Sequence, residues 1–345
     1  MSDALSALGY DEAIAAWITA FPGAVPARVS RTDRGGCAVL GPDGEGAVAL
    51  QRSDDVVTGD WVALAEGRLA GVAPRHGTLT RADPSSPGTG QVLAANVDLV
   101  FVVAGADRPR KAGKVERATV LAWEAGAQPV LVLTKADLLD DPAGAVTEAA
   151  AMAPGVDLFV TSAVTGEGCA ELAGLVAGGR TAALLGESGS GKSTLVNRLA
   201  GREVLATSAV RDGDRKGRHT TTARHLVPLP GGGVLLDTPG LRQIGLWPSG
   251  SEEGLATAFA DVEALVGGCR FDDCGHRSEP GCAVLAAVED GRLPARRLAA
   301  YVKLQRELEW QSGAISEHQR RVDSRRFGKM AKAVMAEKER SRRGR

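Results

Sequence analysis

Hydrophobic and polar positions follow different patterns along the chain. Between residues 26 and 85 they alternate in short runs that Gly, Asp and Pro interrupt, which predicts the half-buried strands of a small barrel or sandwich. Residues 1–25 contain one predicted helix, at 11–20, and we interpret them as an appendage rather than a domain. A linker rich in Gly, Pro and Ser follows the strands at about 80–95.

Beyond the linker, continuous apolar runs alternate with helical patterns. Buried strands are predicted at 99–103, 129–133 and 182–185. This alternation predicts a parallel sheet with helices on both faces, so we assign an α/β domain to residues 95–248. The last part, 249–345, is predicted to be mainly helical, with a break near Gly291 and Pro294.

Composition limits the class of protein. The 345 residues are 44% hydrophobic but only 4% aromatic, so the cores must be aliphatic, and Cys37 and Cys169 are predicted to lie in them. No apolar run reaches the ~18 residues that a membrane span needs, and acidic residues near the start argue against a signal peptide. We therefore expect a cytoplasmic protein with no membrane partner and no disulfide framework.

Basic residues are concentrated in two places. The stretch 320–345 is strongly basic although the net charge of the chain is -1. Such tails commonly neutralise nucleic-acid phosphates, and a solvated, partly disordered end is the alternative. A basic face on the predicted barrel would suit oligonucleotide binding, with solvated surface charges as the alternative. The barrel arginines are Arg28, Arg31, Arg34, Arg52, Arg68 and Arg75.

The strongest motif is "GESGSGKST", which fits the phosphate-loop pattern G-x-x-x-x-G-K-[ST] between an apolar strand and a helix. Its backbone N–H groups and the helix N-terminus would bind phosphate. Lys192 would reach the β- and γ-phosphates, and the Ser193 hydroxyl would bind Mg²⁺. A glycine-rich turn is the alternative. The predicted loop residues are Gly186, Glu187, Ser188, Gly189, Ser190, Gly191, Lys192, Ser193 and Thr194.

A second motif, "TKAD", stands at the carboxyl end of a predicted strand, where α/β sheets bind ligands. It resembles the guanine-reading [NT]-K-x-D motif of GTPases, although the start of a surface helix is the alternative. Asp137 would accept hydrogen bonds from guanine N1–H and the exocyclic amine, and adenine has no donors there. The backbone of "TSA", one strand later, would meet guanine O6. The predicted base-site residues are Thr134, Lys135, Ala136, Asp137, Ser162 and Ala163.

The strand before "DTPG" ends in a D-x-x-G motif. Asp237 would hold Mg²⁺ through water, and the Gly240 N–H would sense the γ-phosphate. The polar loop "RKGRHTTT" stands where a GTPase has its first switch. The spacing leaves open which of its threonines completes the Mg²⁺ shell, namely Thr220, Thr221 or Thr222.

The residue after "DTPG" is Leu241, where Ras-like GTPases carry a glutamine that orients water. His219 is the nearest candidate for this role, and a loop residue that contacts a partner is the alternative. Because "TKAD" and "TSA" precede the phosphate loop, the domain is interpreted as circularly permuted. The second switch would be the segment that contains "DTPG", and a change in it would then pass directly into the C-terminal domain that follows.

Three cysteines and one histidine lie together in "CRFDDCGHRSEPGC". A Cys₃His set suits a closed tetrahedral zinc site, which implies a structural metal. The spacing is not that of common zinc fingers, and unconnected reduced cysteines are the alternative. The predicted ligands are Cys269, Cys274, His276 and Cys282.

These motifs, in this order, resemble the RsgA (YjeQ) family of circularly permuted GTPases from about residue 27 onward. The resemblance implies an OB-fold at 26–85, the GTPase domain and a C-terminal zinc domain. It implies bound GTP or GDP, Mg²⁺ and one structural Zn²⁺, and a catalytic part for His219. It also implies action on the 30S ribosomal subunit and its 16S rRNA during late maturation, with hydrolysis stimulated by the subunit.

We therefore expect a monomeric GTPase whose GTP form holds the OB and zinc domains in an arrangement that binds RNA. One alternative is a nucleotide-gated rRNA-binding module with incidental hydrolysis, which Leu241 favours. The other is an ATP-using kinase or ATPase, against which Asp137 argues.

Overall fold

The computed structural model describes residues 3–83, 89–205, 224–237, 245–247, 253–313 and 316–317. Several predictions fall outside these described residues. They concern His219, Thr220, Thr221, Thr222, Gly240, Leu241 and the basic stretch 320–345.

Five antiparallel strands build the N-terminal sheet. Their order is third, second, first, fourth, fifth, and the third also approaches the fifth, so the sheet curls into a small barrel. This is the architecture of a five-stranded Greek-key barrel, and the prediction of a small barrel is confirmed. Val29 and Val62, both 0% exposed, belong to its core. The strands are β1 (Val25–Asp33), β2 (Gly36–Gly41), β3 (Gly44–Ala49), β4 (Trp61–Ala65) and β5 (Arg68–Val72).

The barrel arginines do not all lie on a basic face. Arg28 is 1% exposed, because carbonyls and a hydroxyl from other elements accept its N–H groups. Arg75 pairs with Asp60 at 2.8 Å and with Asp55 at 3.2 Å. Arg28 therefore lies neither on a surface that could bind nucleic acid nor among solvated surface charges.

The N-terminal extension packs against both the barrel and the sheet that follows. It contains α1 (Asp3–Ala7) and α2 (Glu12–Ile18), and Asp11 caps the second helix by accepting from the Ile14 N–H at 2.8 Å. Leu5, Leu8 and Ile14 are buried in the main hydrophobic core. The helix is close to its predicted position, and the appendage contributes directly to the core.

The flanks of the predicted linker are paired. Strands β6 (Leu79–Ala82) and β7 (Gly90–Ala94) form an antiparallel hairpin, and residues 84–88 between them are not described. Leu79 and Leu93 are both 0% exposed. The Gly, Pro and Ser residues of this stretch led to the prediction of a linker, but its two ends form short strands with buried leucines.

A six-stranded sheet forms the α/β domain, in the order β10-β9-β8-β11-β13-β12. The pairs from β10 to β13 are parallel and β12 runs antiparallel, so the predicted α/β architecture is confirmed. Cys169 is buried beneath this sheet and Cys37 in the barrel, as predicted. The strands are β8 (Leu99–Gly105), β9 (Gln128–Thr134), β10 (Asp157–Val160), β11 (Thr181–Gly186), β12 (His225–Pro228) and β13 (Val234–Asp237). The helices are α3 (Ala112–Glu124), α4 (Pro142–Ala150), α5 (Cys169–Gly174) and α6 (Lys192–Ala200).

The C-terminal part is helical around one irregular loop. It contains α7 (Glu253–Ala258), α8 (Ala260–Val266), α9 (Ala283–Glu289) and a long helix, α10, at 295–313. The predicted break at Gly291 and Pro294 separates α9 from α10. Among the described residues, none of the helices combines the length and the hydrophobicity needed to cross a membrane.

Candidate functional site

The phosphate loop joins the central strand β11 to α6. Gly191 stands before the helix with φ of 89°, a left-handed conformation that glycine adopts without steric cost. At Gly186 a Cβ would lie 2.3 Å from the carbonyl oxygen of Val103, so a side chain there would force β8 and β11 apart. Steric constraints therefore explain why glycine occupies both Gly186 and Gly191. The predicted strand–loop–helix context of the motif is also present.

The phosphate loop and the "TKAD" motif are bonded directly to each other. Thr134, the last residue of β9, donates its hydroxyl to the carbonyl of Ser190 at 2.5 Å. The ammonium of Lys135 donates to the carbonyl of Gly189 at 2.9 Å. Two segments that lie more than fifty residues apart in the chain thus form one site at the carboxyl ends of β9 and β11.

Lys135 has a left-handed backbone, with φ of 64°. Non-glycine residues in this region are uncommon and cluster at functional sites. The carboxylate of Asp107 pairs with its ammonium at 2.7 Å and so fixes the side chain from the other side. Sequence reasoning missed Asp107; its one signal is its position just after β8, at the same edge of the sheet.

The two segments predicted to read the base also meet. The Ser162 hydroxyl donates to a carboxylate oxygen of Asp137, and the Ala136 N–H donates to the carbonyl of Thr161 at 3.1 Å. Asp137 is exposed, whereas Ser162 is 0% exposed. Ala163 follows Ser162 and is partly exposed. The exposed carboxylate is therefore oriented from beneath and remains accessible to a ligand.

Lys192 folds over its own loop. Its ammonium donates to the carbonyls of Gly186 and Glu187, both at 2.8 Å. Asp237 ends β13, the neighbour of β11, and is 6% exposed. Burial raises the pKa of Asp237, and the positive charges of Lys192 and His225 partly offset this effect. A buried carboxylate close enough to the loop lysine to be affected by its charge is of the type that holds Mg²⁺ in phosphate-loop GTPases, and Ser193 lies in the first turn of α6.

Two cationic side chains that follow β8, those of Arg108 and Lys114, contact the phosphate loop. The sequence did not predict either of them as part of the site. Arg108 donates to the carbonyls of Ser188 and Gly189, both at 3.3 Å. Lys114 forms an ion pair with Glu187, and this contact holds the pKa of Glu187 below its usual value. These residues join the site because β8 lies beside β11 in the sheet.

The four predicted metal ligands converge between α8 and α9. Their ligand atoms all lie within 4.8 Å of one another. The Sγ atoms of Cys269 and Cys282 are 3.9 Å apart, and they lie 3.6 and 3.5 Å from Nδ1 of His276. A zinc tetrahedron with its usual bond lengths places ligand atoms about 3.5–3.8 Å apart, so the pairs among Cys269, His276 and Cys282 are close to this spacing. With Cys274 they form a donor set of the type that zinc prefers.

The loop that carries these ligands is held by Glu279. Its carboxylate accepts from the N–H groups of Gly275, Arg277 and Ser278 at 2.7–3.1 Å, which lowers the pKa of Glu279 to about 2. His276 lies within this turn with φ of 53°. The three sulfur atoms also affect one another. The backbone N–H of His276 lowers the pKa of the Cys274 thiol, but burial and the sulfurs of Cys282 and Cys269 outweigh it and raise that pKa to about 11. A divalent cation would relieve this repulsion.

Comparison with known proteins agrees with this geometry. A family model described as RsgA GTPase matches residues 72–247. The chain is 45% identical to the small ribosomal subunit biogenesis GTPase RsgA of Streptomyces coelicolor, over 97% of this chain and 96% of that protein. It is 40% identical to the RsgA of Opitutus terrae, over 94% and 95% of the two chains.

Solved structures give the same result. YjeQ from Thermotoga maritima superposes with a TM-score of 0.60 at 26% identity, over 83% of this chain and 98% of that one. YloQ, described as a circularly permuted GTPase, shares the fold with a TM-score of 0.57 at 24% identity, over 83% and 95% of the two chains. The base motif that precedes the phosphate loop, the extent of the identity and the shared fold agree: the chain belongs to the RsgA GTPase family and is a GTP hydrolase.

Proposed function

We propose that this GTPase acts on the 30S ribosomal subunit during late maturation, as a cytoplasmic monomer, and that the subunit stimulates hydrolysis. The observation that carries the proposal is the bonding of Thr134 and Lys135 to the phosphate loop, because it unites base and phosphate recognition in the permuted order. The relatives that match nearly end to end are named small ribosomal subunit biogenesis GTPases.

In the proposed complex each part of the nucleotide has its own partner. The Asp137 carboxylate accepts from guanine N1–H and the exocyclic amine, the Lys135 stem covers the base, and the backbone of Ser162 and Ala163 meets O6. Lys192 exchanges two loop carbonyls for the β- and γ-phosphates. The remaining predicted contacts come from Thr134, Ala136 and the loop residues Gly186, Glu187, Ser188, Gly189, Ser190, Gly191 and Thr194.

Ser193 and Asp237 would hold Mg²⁺, which when bound neutralises the negative charge that develops on the transferred phosphoryl group. Gly240 is proposed to sense the γ-phosphate and His219 to orient the attacking water. Because Leu241 has no polar group, intrinsic turnover should be slow, and docking on the subunit should supply the missing order around the water.

The flanking domains are proposed to bind 16S rRNA. The barrel at 26–85 and the C-terminal domain at 249–345 flank the GTPase domain at 95–248, and the tail at 320–345 carries the strongest positive charge. Cys269, Cys274, His276 and Cys282 would hold one structural Zn²⁺, which suits their spacing and leaves no open coordination position. Loss of γ-phosphate would relax the switches and release the protein.

Co-sedimentation with purified 30S subunits tests the proposal, in GDP, in GTP and in a non-hydrolysable GTP analogue, with 50S subunits as control. We expect the analogue to give the strongest association with 30S and GDP the weakest. We also expect added 30S subunits to raise kcat well above the intrinsic rate. Equal sedimentation in all three nucleotides together with an unchanged kcat would refute the proposal.

A further inference from the structure

Glu307 on α10 holds two groups from different parts of the GTPase domain. Its two oxygens accept hydrogen bonds from the Arg117 guanidinium of α3, one at 2.6 Å. Oε1 also accepts from the backbone N–H of Leu246 at 3.0 Å. The Arg117 and Glu307 side chains are only 21% and 24% exposed. Burial raises the pKa of Glu307, but the bonds from Arg117 and Leu246 outweigh it and hold the pKa below its usual value.

Leu246 belongs to the short segment 245–247, which follows "DTPG" in the sequence. The Ala82 N–H of β6 donates to the carbonyl of Gly245 at 3.3 Å. On the paired strand, a Cβ at Gly90 would lie 2.6 Å from the indole ring of Trp247, so the ring packs directly on the backbone of β7. Leu246 itself is 0% exposed. The exit of the second switch is therefore anchored on the β6–β7 hairpin and on α10.

Helix α3 connects this anchor to the phosphate loop. Lys114 pairs with Glu187 of the loop, and Arg117 follows about one turn later on the same helix. A separate ion pair between α3 and α10 joins Glu116 to Arg297 at 3.4 Å and makes no bond to Leu246. Docking of α10 and anchoring of the switch exit can thus be tested separately.

We propose that Glu307 is a positioning residue for GTP hydrolysis. Its carboxylate fixes the backbone at Leu246, and through Arg117 it holds that backbone in register with α3 and the phosphate loop. The inference rests on the proposed assignment of Asp237 and Gly240 to the second switch. Because Glu307 bonds to Leu246, which follows the proposed switch in the sequence, and not to the phosphate loop or the "TKAD" motif, its loss should reduce kcat and leave KM for GTP almost unchanged.

The test compares Glu307→Leu with Glu307→Gln in the full chain, without ribosomal subunits. Glutamine keeps an oxygen that accepts from the Leu246 N–H, whereas leucine has none. We expect Glu307→Leu to lower the intrinsic kcat by about tenfold with KM within about twofold, as for the loss of one partly buried hydrogen bond in the active state. Glu307→Gln should retain most of the rate. Melting temperatures and GDP affinities measured in parallel report on folding.

Glu116→Gln is the matched control, because it weakens the docking of α10 on α3 and leaves the Leu246 bond in place. An unchanged kcat in Glu307→Leu, or an equal loss in Glu116→Gln, would overturn the proposal. If Glu307→Leu does not fold, Glu307→Asp replaces it: the shorter carboxylate withdraws from Leu246, and a wild-type kcat would refute the role. These assays need no ribosomal subunit, so their failure is distinguishable from failure of the ribosomal proposal.

Discussion

The guanidinium of Arg28 donates a hydrogen bond to the hydroxyl of Thr181 at 2.7 Å, which joins the first barrel strand to the strand that leads into the phosphate loop. Arg28 also donates to the carbonyls of Leu8, Gly59 and Asn96. Burial lowers the pKa of Arg28 to about 10, against the opposing effect of Asp98 and Asp60, so the side chain stays charged at neutral pH. One buried cation thus connects the N-terminal extension, the barrel and the GTPase sheet.

Replacing Arg28 by leucine should strongly destabilise the protein. Four acceptors would each lose the Arg28 donor; the Gly59 carbonyl keeps the side-chain N–H of Asn96 at 2.9 Å, but each buried polar group left unsatisfied costs about 1–3 kcal/mol. We expect the free energy of unfolding in urea to fall by about 3 kcal/mol or more. Arg31→Leu, on the same strand but with a side chain 43% exposed, should change it by less than about 0.5 kcal/mol. Equal midpoints for the two variants would contradict the role of Arg28 as a junction.

Asp107→Ala should weaken GTP binding. Without this carboxylate, Lys135 loses its 2.7 Å partner and keeps the bond to the Gly189 carbonyl, so its position over the proposed base site is less well fixed. A hydrogen bond to a charged group is worth about 1.5–3 kcal/mol, so the Kd for a fluorescent GTP analogue should rise about tenfold or more. The control is Asp140→Ala, which removes an exposed acidic side chain three residues after Asp137 in the sequence. An unchanged Kd in Asp107→Ala would show that Lys135 needs no such support.

Glu279→Gln should lower the affinity for zinc. The amide retains one acceptor oxygen where the carboxylate accepts three backbone N–H groups, so the turn around His276 loses order. Changes to residues that orient metal ligands typically cost about 10–100-fold in metal affinity. Competition with a colorimetric zinc chelator measures the effect, and Asp272→Asn in the same loop is the control. Equal zinc retention by both variants would rule out this supporting role.

The ion pair between His76 and Asp98, at 3.3 Å, predicts a small pH dependence of stability. The hydrogen bond to Asp98 raises the pKa of His76, against the effect of burial. A raised pKa in the folded state stabilises the protein fully below the unfolded value of about 6.5, and this stability is lost as pH rises through the folded value. Because the His76 side chain is 61% exposed, the change should stay below about 1 kcal/mol.

Urea unfolding of the wild type and of His76→Gln at pH 5.5 and pH 8.5 measures this effect. The wild type should be the more stable of the two at the lower pH and should lose that advantage at the higher pH. If the free energies of unfolding of the wild type and of His76→Gln change equally between pH 5.5 and pH 8.5, the His76–Asp98 pair is not the source of the pH dependence.

The sequence predicted the residues whose chemistry lies within one contiguous motif. Lys192 and Asp137 belong to such motifs, and the structure brings the two motifs together. Asp107 and Lys114 could not be predicted from periodicity, which does not encode strand order. Asp107 reaches Lys135 because β8 pairs with β9, and Lys114 reaches the phosphate loop because β8 also pairs with β11. Arg28 resembled a surface charge because its partner Thr181 lies 153 positions away. The residues that the sequence did not predict are those whose partners lie far away in the chain, because local patterns of residues do not show such contacts.

The position of β11 between β8 and β13 has a consequence for biosynthesis. The neighbour that covers one side of β8 is translated only after β9, β10 and their helices have been synthesised. During that interval the nascent chain carries an apolar strand with an open edge, which is a template for pairing with another polypeptide. Slowed elongation before residue 186 should therefore increase aggregation and dependence on chaperones, whereas slowed elongation after β13 should not.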